Sequence, residues 1–409
     1  MTGESIVQGI ELFVALLGVA AVVAIAAKPL RLPYTVALVV VGLVIGTVAG
    51  ALGVGADITV APELVLLVLL PGLVFEAAYR LRVDQLRRWF GGLLLLAVPG
   101  VLISAAIVAV VLHLATGLPL DLAFIVGAMV SATDPAAVVA TFKRLRVSPA
   151  LSTLVDGESL LNDGTGLVLF AIAVRAVSEP VPLPEAVLSF AAALVISAAI
   201  GLVTGYLASR LIATIDDHLI QLTISVVLAY GSYLIADSFH LSGVIATVVA
   251  AVMLGENSRG RKPAIEGAEA TDPIDTVWEF LAYLLTAVVF LLVGLAIPIG
   301  GLIAALGPIA WAIAAILIGR AIVVYGLLGL TSHRAQGPGL AEAVPGAWLH
   351  ILFWAGLRGA VAVAMALALP VDLPQRALLQ EIAFGVVLFT LLVQATTVGR
   401  VVARVMRDA

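Results

Sequence analysis

The stretch DGESLLNDGT, residues 156–165, combines three carboxylates, an asparagine and two hydroxyls directly before the apolar run GLVLFAIAV. In a helix, Ser159, Asn162 and Asp163 lie three and four residues apart and therefore share one face. That face offers a hydroxyl, an amide carbonyl and a carboxylate, which are oxygen ligands of the kind that hard cations prefer. The spacing predicts a cation site; a water-filled polar network between helices is the alternative.

The composition places these residues in a membrane. Hydrophobic residues make up 62% of the 409 positions and charged residues 11%, whereas soluble domains have about 45–50% and about 25%. We therefore expect an all-α polytopic membrane protein whose surroundings are the lipid bilayer. The net charge of −5, without a basic tract, argues against nucleic acid as a partner. The chain has no cysteine, so thiolate metal chemistry is excluded, and we expect no cofactor.

A membrane-spanning helix needs about 20 mostly apolar residues, and the chain predicts about thirteen such spans within a single membrane domain, 1–409. The first is a span and not a cleavable signal, because its leader MTGES carries no positive charge. The spans run over residues 6–27, 34–54, 62–79, 91–113, 120–143, 150–177, 184–213, 219–236, 241–255, 274–298, 302–330, 347–369 and 378–404.

The basic residues orient these spans, because cytoplasmic loops collect lysine and arginine. Of the 21 basic residues, 17 fall after odd-numbered spans or at the C-terminus, and only Arg175 and Arg376 fall on the other side. The remaining two, Arg320 and Arg358, lie inside spans. We therefore expect the N-terminus outside and the C-terminus in the cytoplasm, in a cell membrane.

A proline interrupts the fifth span beside an acidic residue. Pro135 cannot donate a backbone hydrogen bond and disfavours helix at Asp134, and Thr133 and Asp134 are typical of a helix start. The helix is predicted to break at membrane depth and restart, and such broken ends bind ions in transporters. A plain proline kink is the alternative, but it leaves unexplained an aspartate that costs at least about 2.5–3.5 kcal/mol at the bilayer centre.

The twelfth span contains a permanently charged residue, Arg358, between Gly356 and Gly359. We expect it to pair with Glu158, which lies off the Ser159 face and would otherwise be an unpaired buried charge. The alternative is that Arg358 binds the carbonyls of a broken helix. No pattern decides whether Arg320 pairs or extends toward the interface.

Glu76 and Asp156 are harder to interpret. Glu76 ends the third span four residues before Arg80, which suggests a surface ion pair. The alternative places Glu76 on the cytoplasmic funnel of an ion path. Asp156 falls near a membrane edge and is assigned no role.

The two interrupted spans are seven spans apart, and an odd offset reverses orientation, as inverted-repeat transporters require. Helices at 91–177 and 302–404 would then form a mirrored core in which two broken helices cross at mid-membrane. The helices at 6–79 and 184–298 would lie outside that core.

Five motifs occur in order along nearly the whole chain: VFEAAYRL, SATDPAAVVATF, DGESLLNDGTGLVLF, VWEFLAYLLTAVVFLLVG and GLRGAVAVAMAL. Together they resemble the cation:proton antiporter-1 family, the sodium/proton exchangers. The resemblance implies a transport domain, here 91–177 with 302–404, beside a dimerisation domain, here 6–79 with 184–298. It also implies a homodimer that works as an elevator.

The resemblance further implies the roles of individual residues. Asp163, paired in the motif with Asn162, would be the exchanged site. Ser159, the backbone of Thr133 and Asp134 would line the ion site, with Na+ at Asp163, Ser159 and Thr133 and with Glu76 nearby. Glu158 and Arg358 would correspond to a structural ion pair.

The function expected from these patterns is antiport, not enzymatic catalysis. Na+, or alternatively Li+ or K+, would exchange for a proton at Asp163, one for one and without net charge movement. A gated monovalent-cation channel is one alternative. An intramembrane aspartyl protease is another, but its Gly-x-Gly-Asp signature is absent where the second aspartate sits in LND.

Overall fold

The computed structural model describes residues 3–30, 32–52, 61–179, 181–259, 273–330 and 344–408, and these residues form helices and no β-strand. The predicted all-α polytopic fold is confirmed. Three π-helical segments, Leu64–Leu69, Ile322–Gly329 and Thr390–Ala395, adjoin the helices. The α-helices are α1 Gly3–Leu30, α2 Tyr34–Ala51, α3 Leu70–Arg80, α4 Val83–Ala97, α5 Pro99–Thr116, α6 Leu120–Ser131, α7 Ala136–Leu145, α8 Pro149–Ser178, α9 Leu183–Ile212, α10 His218–Ser238, α11 Gly243–Arg259, α12 Pro273–Leu295, α13 Ile299–Ala304, α14 Leu306–Ala321, α15 Gly346–Trp354, α16 Ala360–Leu367, α17 Arg376–Phe389 and α18 Thr396–Asp408.

Each predicted span falls on one helix or on two or three successive helical segments. Within the described ranges, nine segments are long and apolar enough to cross a membrane. The third, ninth and twelfth predicted spans fall on shorter helical pieces, and within α1 the apolar stretch Phe13–Pro29 is short, so the number thirteen stays a prediction. Four of the basic residues used for orientation, Arg31, Arg261, Lys262 and Arg334, lie outside the described residues.

The predicted helix breaks are confirmed. The fifth span consists of α6 and α7, separated by residues 132–135, and the twelfth consists of α15 and α16, separated by residues 355–359. Ala132 is extended, with ψ at 143°, which ends α6 before the proline. Both breaks lie in the interior of the helix bundle, where the protein itself can satisfy the exposed backbone groups.

The helices that carry the breaks pack into one set. Helix α5 lies against α6 and α14, while α6 also contacts α8 and α17. A second set packs α2 against α12, and α11 against α3 and α9. A cavity of about 540 Å³ lies between the two sets, bounded by α7, α8 and α16 on one side and by α2, α3 and α12 on the other.

A glycine fixes how closely α6 approaches α5. A Cβ atom on Gly127 would lie 2.9 Å from the carbonyl carbon of Ala105, which is too close for any real side chain. Small residues allow such close backbone approach between membrane helices. Gly127 therefore allows α6, which leads into the break at residues 132–135, to pack closely against α5.

Candidate cation-binding site

One carboxylate joins the two broken helices. Asp134 Oδ1 accepts a hydrogen bond from the backbone N–H of Ala136 at 2.9 Å, and Oδ2 accepts one from Ala360 at 3.3 Å. These N–H groups open α7 and α16, whose first turns lack intrahelical partners and carry the positive end of the helix dipole. In addition, the Asp134 N–H donates to Leu357 O at 2.9 Å. Asp134 therefore holds both half-helix starts at once.

Two arginines bind the carbonyl groups at the C-terminal ends of α6 and α15, the first halves of the two broken helices. Arg358 donates from Nε to Val130 O, in the last turn of α6, at 2.7 Å, and from Nη1 to Gly356 O. Arg320 donates from Nη2 to Leu352 O, in the last turn of α15, at 2.8 Å. The last carbonyls of a helix lack intrahelical partners and carry partial negative charge, so a permanent cation with several donors suits both positions.

The predicted pairing of Glu158 with Arg358 is wrong. Glu158 is bound by both terminal nitrogens of Arg320: Nη1 reaches Oε1, and Nη2 lies 2.9 Å from Oε2. Glu158 and Arg320 are buried at 2% and 6% exposure, so neither charge is left to water. Arg358 is instead occupied by the broken-helix carbonyls, which was the alternative interpretation. The sequence contains two arginines inside predicted spans, Arg320 and Arg358. No pattern near either residue indicates which of them binds Glu158.

The polar face of α8 is fastened to the first break. Asn162 Oδ1 accepts a hydrogen bond from Thr133 N at 3.0 Å, and Asn162 Nδ2 donates to Thr133 Oγ1 at 2.8 Å. Ser159 Oγ donates to Thr133 O. The predicted common face of Ser159, Asn162 and Asp163 is therefore present. Two of its three members hold the backbone of Thr133 in place, and neither Asn162 nor Thr133 lines the cavity.

Asp163 occupies the inner end of the cavity. Asp163 is only 9% exposed, and its carboxylate accepts no hydrogen bond from any described residue. Ser159, Asp134 and Glu76 share the cavity wall with it. Asp134 is close enough to repel Asp163 electrostatically, and a cation between two carboxylates relieves such repulsion. The geometry therefore offers a carboxylate, and a hydroxyl one turn away, to a cation.

The outer end of the cavity is lined by alternating charges. Glu76 binds Arg80 Nε at 2.9 Å, and Arg80 Nη2 lies 3.1 Å from Glu279. Lys143 Nζ follows at 3.9 Å from Glu279, and these last two side chains are 65% and 62% exposed. Glu76 therefore pairs with Arg80, as one interpretation predicts, and it also lines the cavity; its place on an ion path stays a prediction.

Gly359 lies directly against the side chain of Asp134, and a substitution can test this contact. A Cβ atom on Gly359 would lie 2.6 Å from Asp134 Cβ and overlap the carboxylate. Gly359→Ala is therefore expected to displace Asp134 from the two half-helix starts and to lower transport severalfold. Initial transport rates in proteoliposomes measure this effect. Gly346→Ala, at the start of α15 where a Cβ meets no atom within 4 Å, is the matched control. Equal rates for the two variants would contradict the role assigned to Asp134.

Two oppositely directed broken helices that cross beside a buried aspartate define a secondary transporter of the inverted-repeat class. The chain belongs to the sodium/hydrogen exchanger family, because the model of that family's transmembrane region matches residues 14–404.

Named relatives and solved structures agree with this assignment. The low-affinity Na+/H+ antiporter NhaS1 of Synechocystis is 36% identical over 401 residues, covering 96% of this chain and 74% of that protein. The Na+/H+ antiporter NhaH of Halobacillus aidingensis is 35% identical and covers 95% of this chain and 96% of its own. The structure of the sodium proton antiporter MjNhaP1 from Methanocaldococcus jannaschii at pH 8 superposes with a TM-score of 0.73 at 19% identity, covering 95% and 99% of the two chains. The structural match confirms the predicted antiporter fold.

Proposed function

We propose that this protein is a secondary active antiporter that exchanges Na+ for H+ across a cell membrane at Asp163. The observation that carries the proposal is the Asp163 carboxylate, which has no hydrogen-bond partner among the described residues and lies at the inner end of a cavity. The relatives are named as Na+/H+ antiporters over nearly the full length of this chain, which supports the same cargo.

Competition for one carboxylate couples the two fluxes. Asp163 holds either a proton or a cation, so each ion must leave before the other binds. The cation would take oxygens from Asp163, from the Ser159 hydroxyl and from the Thr133 carbonyl. The Ser159 hydroxyl donates to that carbonyl, so a bound cation would require the hydroxyl hydrogen to turn away and leave both oxygens facing the ion.

The position of the cavity supports an elevator mechanism. The transport part would comprise 91–177 and 302–404, and the dimerisation part 6–79 and 184–298, in a homodimer. The cavity separates these two sets of helices, so a shift of one set against the other would move Asp163 between the two sides of the membrane. Lys143, at the open end, falls on the side that the basic-residue rule assigns to the cytoplasm. On that orientation, we infer that the cavity opens toward the cytoplasm.

Charge accounting predicts electroneutral exchange. Glu158 is balanced by Arg320, and Asn162 has no titrating group. Both carboxylate oxygens of Asp134 accept hydrogen bonds from the N–H groups at the half-helix starts. Among the described ionisable groups at the two helix breaks and on the Ser159 face of α8, Asp163 is then the group whose occupancy alternates between one proton and one monovalent cation. The loaded site therefore carries the same net charge in both directions.

The test is proton movement in proteoliposomes at a controlled membrane potential. Na+, Li+ and K+ are added in turn, and we expect Na+ to drive proton movement with saturable kinetics. The Na+ gradient at which net proton flux vanishes is then measured with and without about −100 mV, which would add about 2.3 kcal/mol of work per net charge moved. We expect no shift.

Two outcomes would contradict the proposal. A shifted null gradient would mean unequal numbers of protons and cations, with Asp134 as the first suspect. Flux that rises without saturation would favour a gated channel. The potential is set with a K+ gradient and valinomycin only if K+ gives no response of its own; otherwise a permeant lipophilic ion sets it.

A further inference from the structure

Asp156 lies on the same face of α8 as the exchange site but is not used by it. Ser152, Asp156 and Asp163 are spaced by four and seven residues, so they follow one stripe of the helix. All three line the cavity. The rise of an α-helix places Asp156 about 10 Å from Asp163 along the axis, on the side toward the exposed Lys143.

The carboxylate of Asp156 is only half satisfied. Its Oδ2 accepts a hydrogen bond from Ser152 Oγ at 3.3 Å. Its Oδ1 is excluded from solvent and accepts no hydrogen bond from any described residue. A buried acceptor without a partner is unfavourable, and more so when it is charged. Such an atom in native structures calls for a partner that the protein itself does not provide, such as a water or an ion.

Asp156 also stands where two cavities meet. A second cavity of about 380 Å³ reaches the protein surface beside α7, and it shares Asp156, Ser152, Lys143 and Arg80 with the first. Glu76, on the facing helix α3, lies within electrostatic range of Asp156. Both carboxylates line the cavity that also contains Asp163.

The charges around this point leave room for one cation. Five ionisable side chains line the outer part of the first cavity: Glu76, Asp156, Glu279, Arg80 and Lys143. The three acidic and two basic groups leave this part of the first cavity with a net charge of −1; the second cavity adds Arg82, which pairs with Asp84, and Arg146. A single monovalent cation balances that charge, whereas a divalent cation would reverse it.

We propose that Asp156, with Glu76 opposite, forms an outer site that holds a partly hydrated monovalent cation on its way to Asp163. The inference rests on the proposed antiport function. The outer site attracts a cation to the cavity beside the exchange site, because Asp156 has no basic partner among the ion pairs of that wall. It sets the apparent affinity for the cation and leaves the chemistry of exchange to Asp163.

Cation binding to protein that lacks the exchange carboxylate isolates this site. Purified Asp163→Asn protein is titrated with radioactive Na+ at equilibrium. We expect one weak, saturable site in Asp163→Asn, its loss in Asp156→Asn/Asp163→Asn, and its retention in Asp156→Glu/Asp163→Asn. Melting temperatures in detergent verify that all variants are folded. Equal Na+ binding by Asp163→Asn and Asp156→Asn/Asp163→Asn would overturn the outer site.

Transport kinetics provide the second readout. Asp156→Asn is expected to raise KM for Na+ severalfold at nearly unchanged maximal rate, and to do so more at low than at high ionic strength, because salt screens the attraction. Asp121→Asn, an exposed aspartate at the start of α6 outside both cavities, is the control. An unchanged KM in Asp156→Asn overturns the outer site alone if the wild-type protein exchanges Na+ for protons. A wild-type protein without exchange overturns the proposed function itself.

Discussion

Asp163→Asn is expected to abolish Na+-driven proton movement while the protein still folds and inserts. Asparagine keeps the size of the side chain and one oxygen, but it can neither take up a proton nor balance a cation. Asp163 makes no hydrogen bond to a described residue that the amide would disrupt, so stability should change little. Transport in proteoliposomes and melting temperature in detergent measure the two effects. Loss of transport at an unchanged melting temperature indicates that the exchange site is lost, whereas a lower melting temperature indicates that the fold is damaged.

Asp372→Asn is the matched control, because Asp372 is an exposed aspartate that lines neither cavity. It is expected to retain the wild-type rate. Normal Na+-coupled proton movement by Asp163→Asn would rule out the proposed exchange site. A melting temperature far below that of Asp372→Asn would instead show that Asp163 has a structural role.

Arg320→Ala is expected to have the largest effect on stability. It leaves Glu158 as a buried charge without a partner, and breaking a buried ion pair in this way costs roughly 3–5 kcal/mol. Glu158→Gln in the same chain removes the stranded charge and should recover part of the loss. Melting temperatures of the two single variants and of the double variant form a double-mutant cycle, in which neighbours in contact show a coupling energy.

Arg358→Ala provides the comparison that tests the corrected pairing. It loses hydrogen bonds to Val130 and Gly356 but strands no carboxylate, so Glu158→Gln should give no recovery in that background. If Glu158→Gln instead rescues Arg358→Ala and not Arg320→Ala, the pairing of Glu158 with Arg320 is wrong in solution.

Much of the fold can be predicted from the sequence, because the bilayer imposes strong constraints on composition and length. Apolar runs locate the spans, and Pro135 beside Asp134 predicts a break that the structure confirms. The spacing of Ser159, Asn162 and Asp163 predicts their common helix face. These are local signals, since each depends on residues a few positions apart.

Partner choice could not be predicted, because it depends on distances between spans that are far apart in sequence. Arg320 and Glu158 are separated by 162 positions, and no pattern near either residue indicates which arginine reaches the carboxylate. The role of Asn162 was likewise hidden. Its amide can coordinate an ion or bind backbone, and only the position of Thr133 shows that both amide atoms bind Thr133. The sequence indicates no role for Asp156, because the membrane edge cannot be located to one helical turn from sequence.

The two hydrogen bonds of Asp134 have a mechanical consequence. Its two oxygens bind N–H groups that belong to opposite halves of the chain, one in α7 and one in α16. If either half-helix moved alone, that bond would break and a helix start would be left unpaired at membrane depth. The two hydrogen bonds of Asp134 therefore couple the repeats. The repeats can translate or rotate together without breaking these bonds, but they cannot slide past each other. A local gate that opens at one break is disfavoured by this connection, and the smallest unit that can move freely includes both breaks.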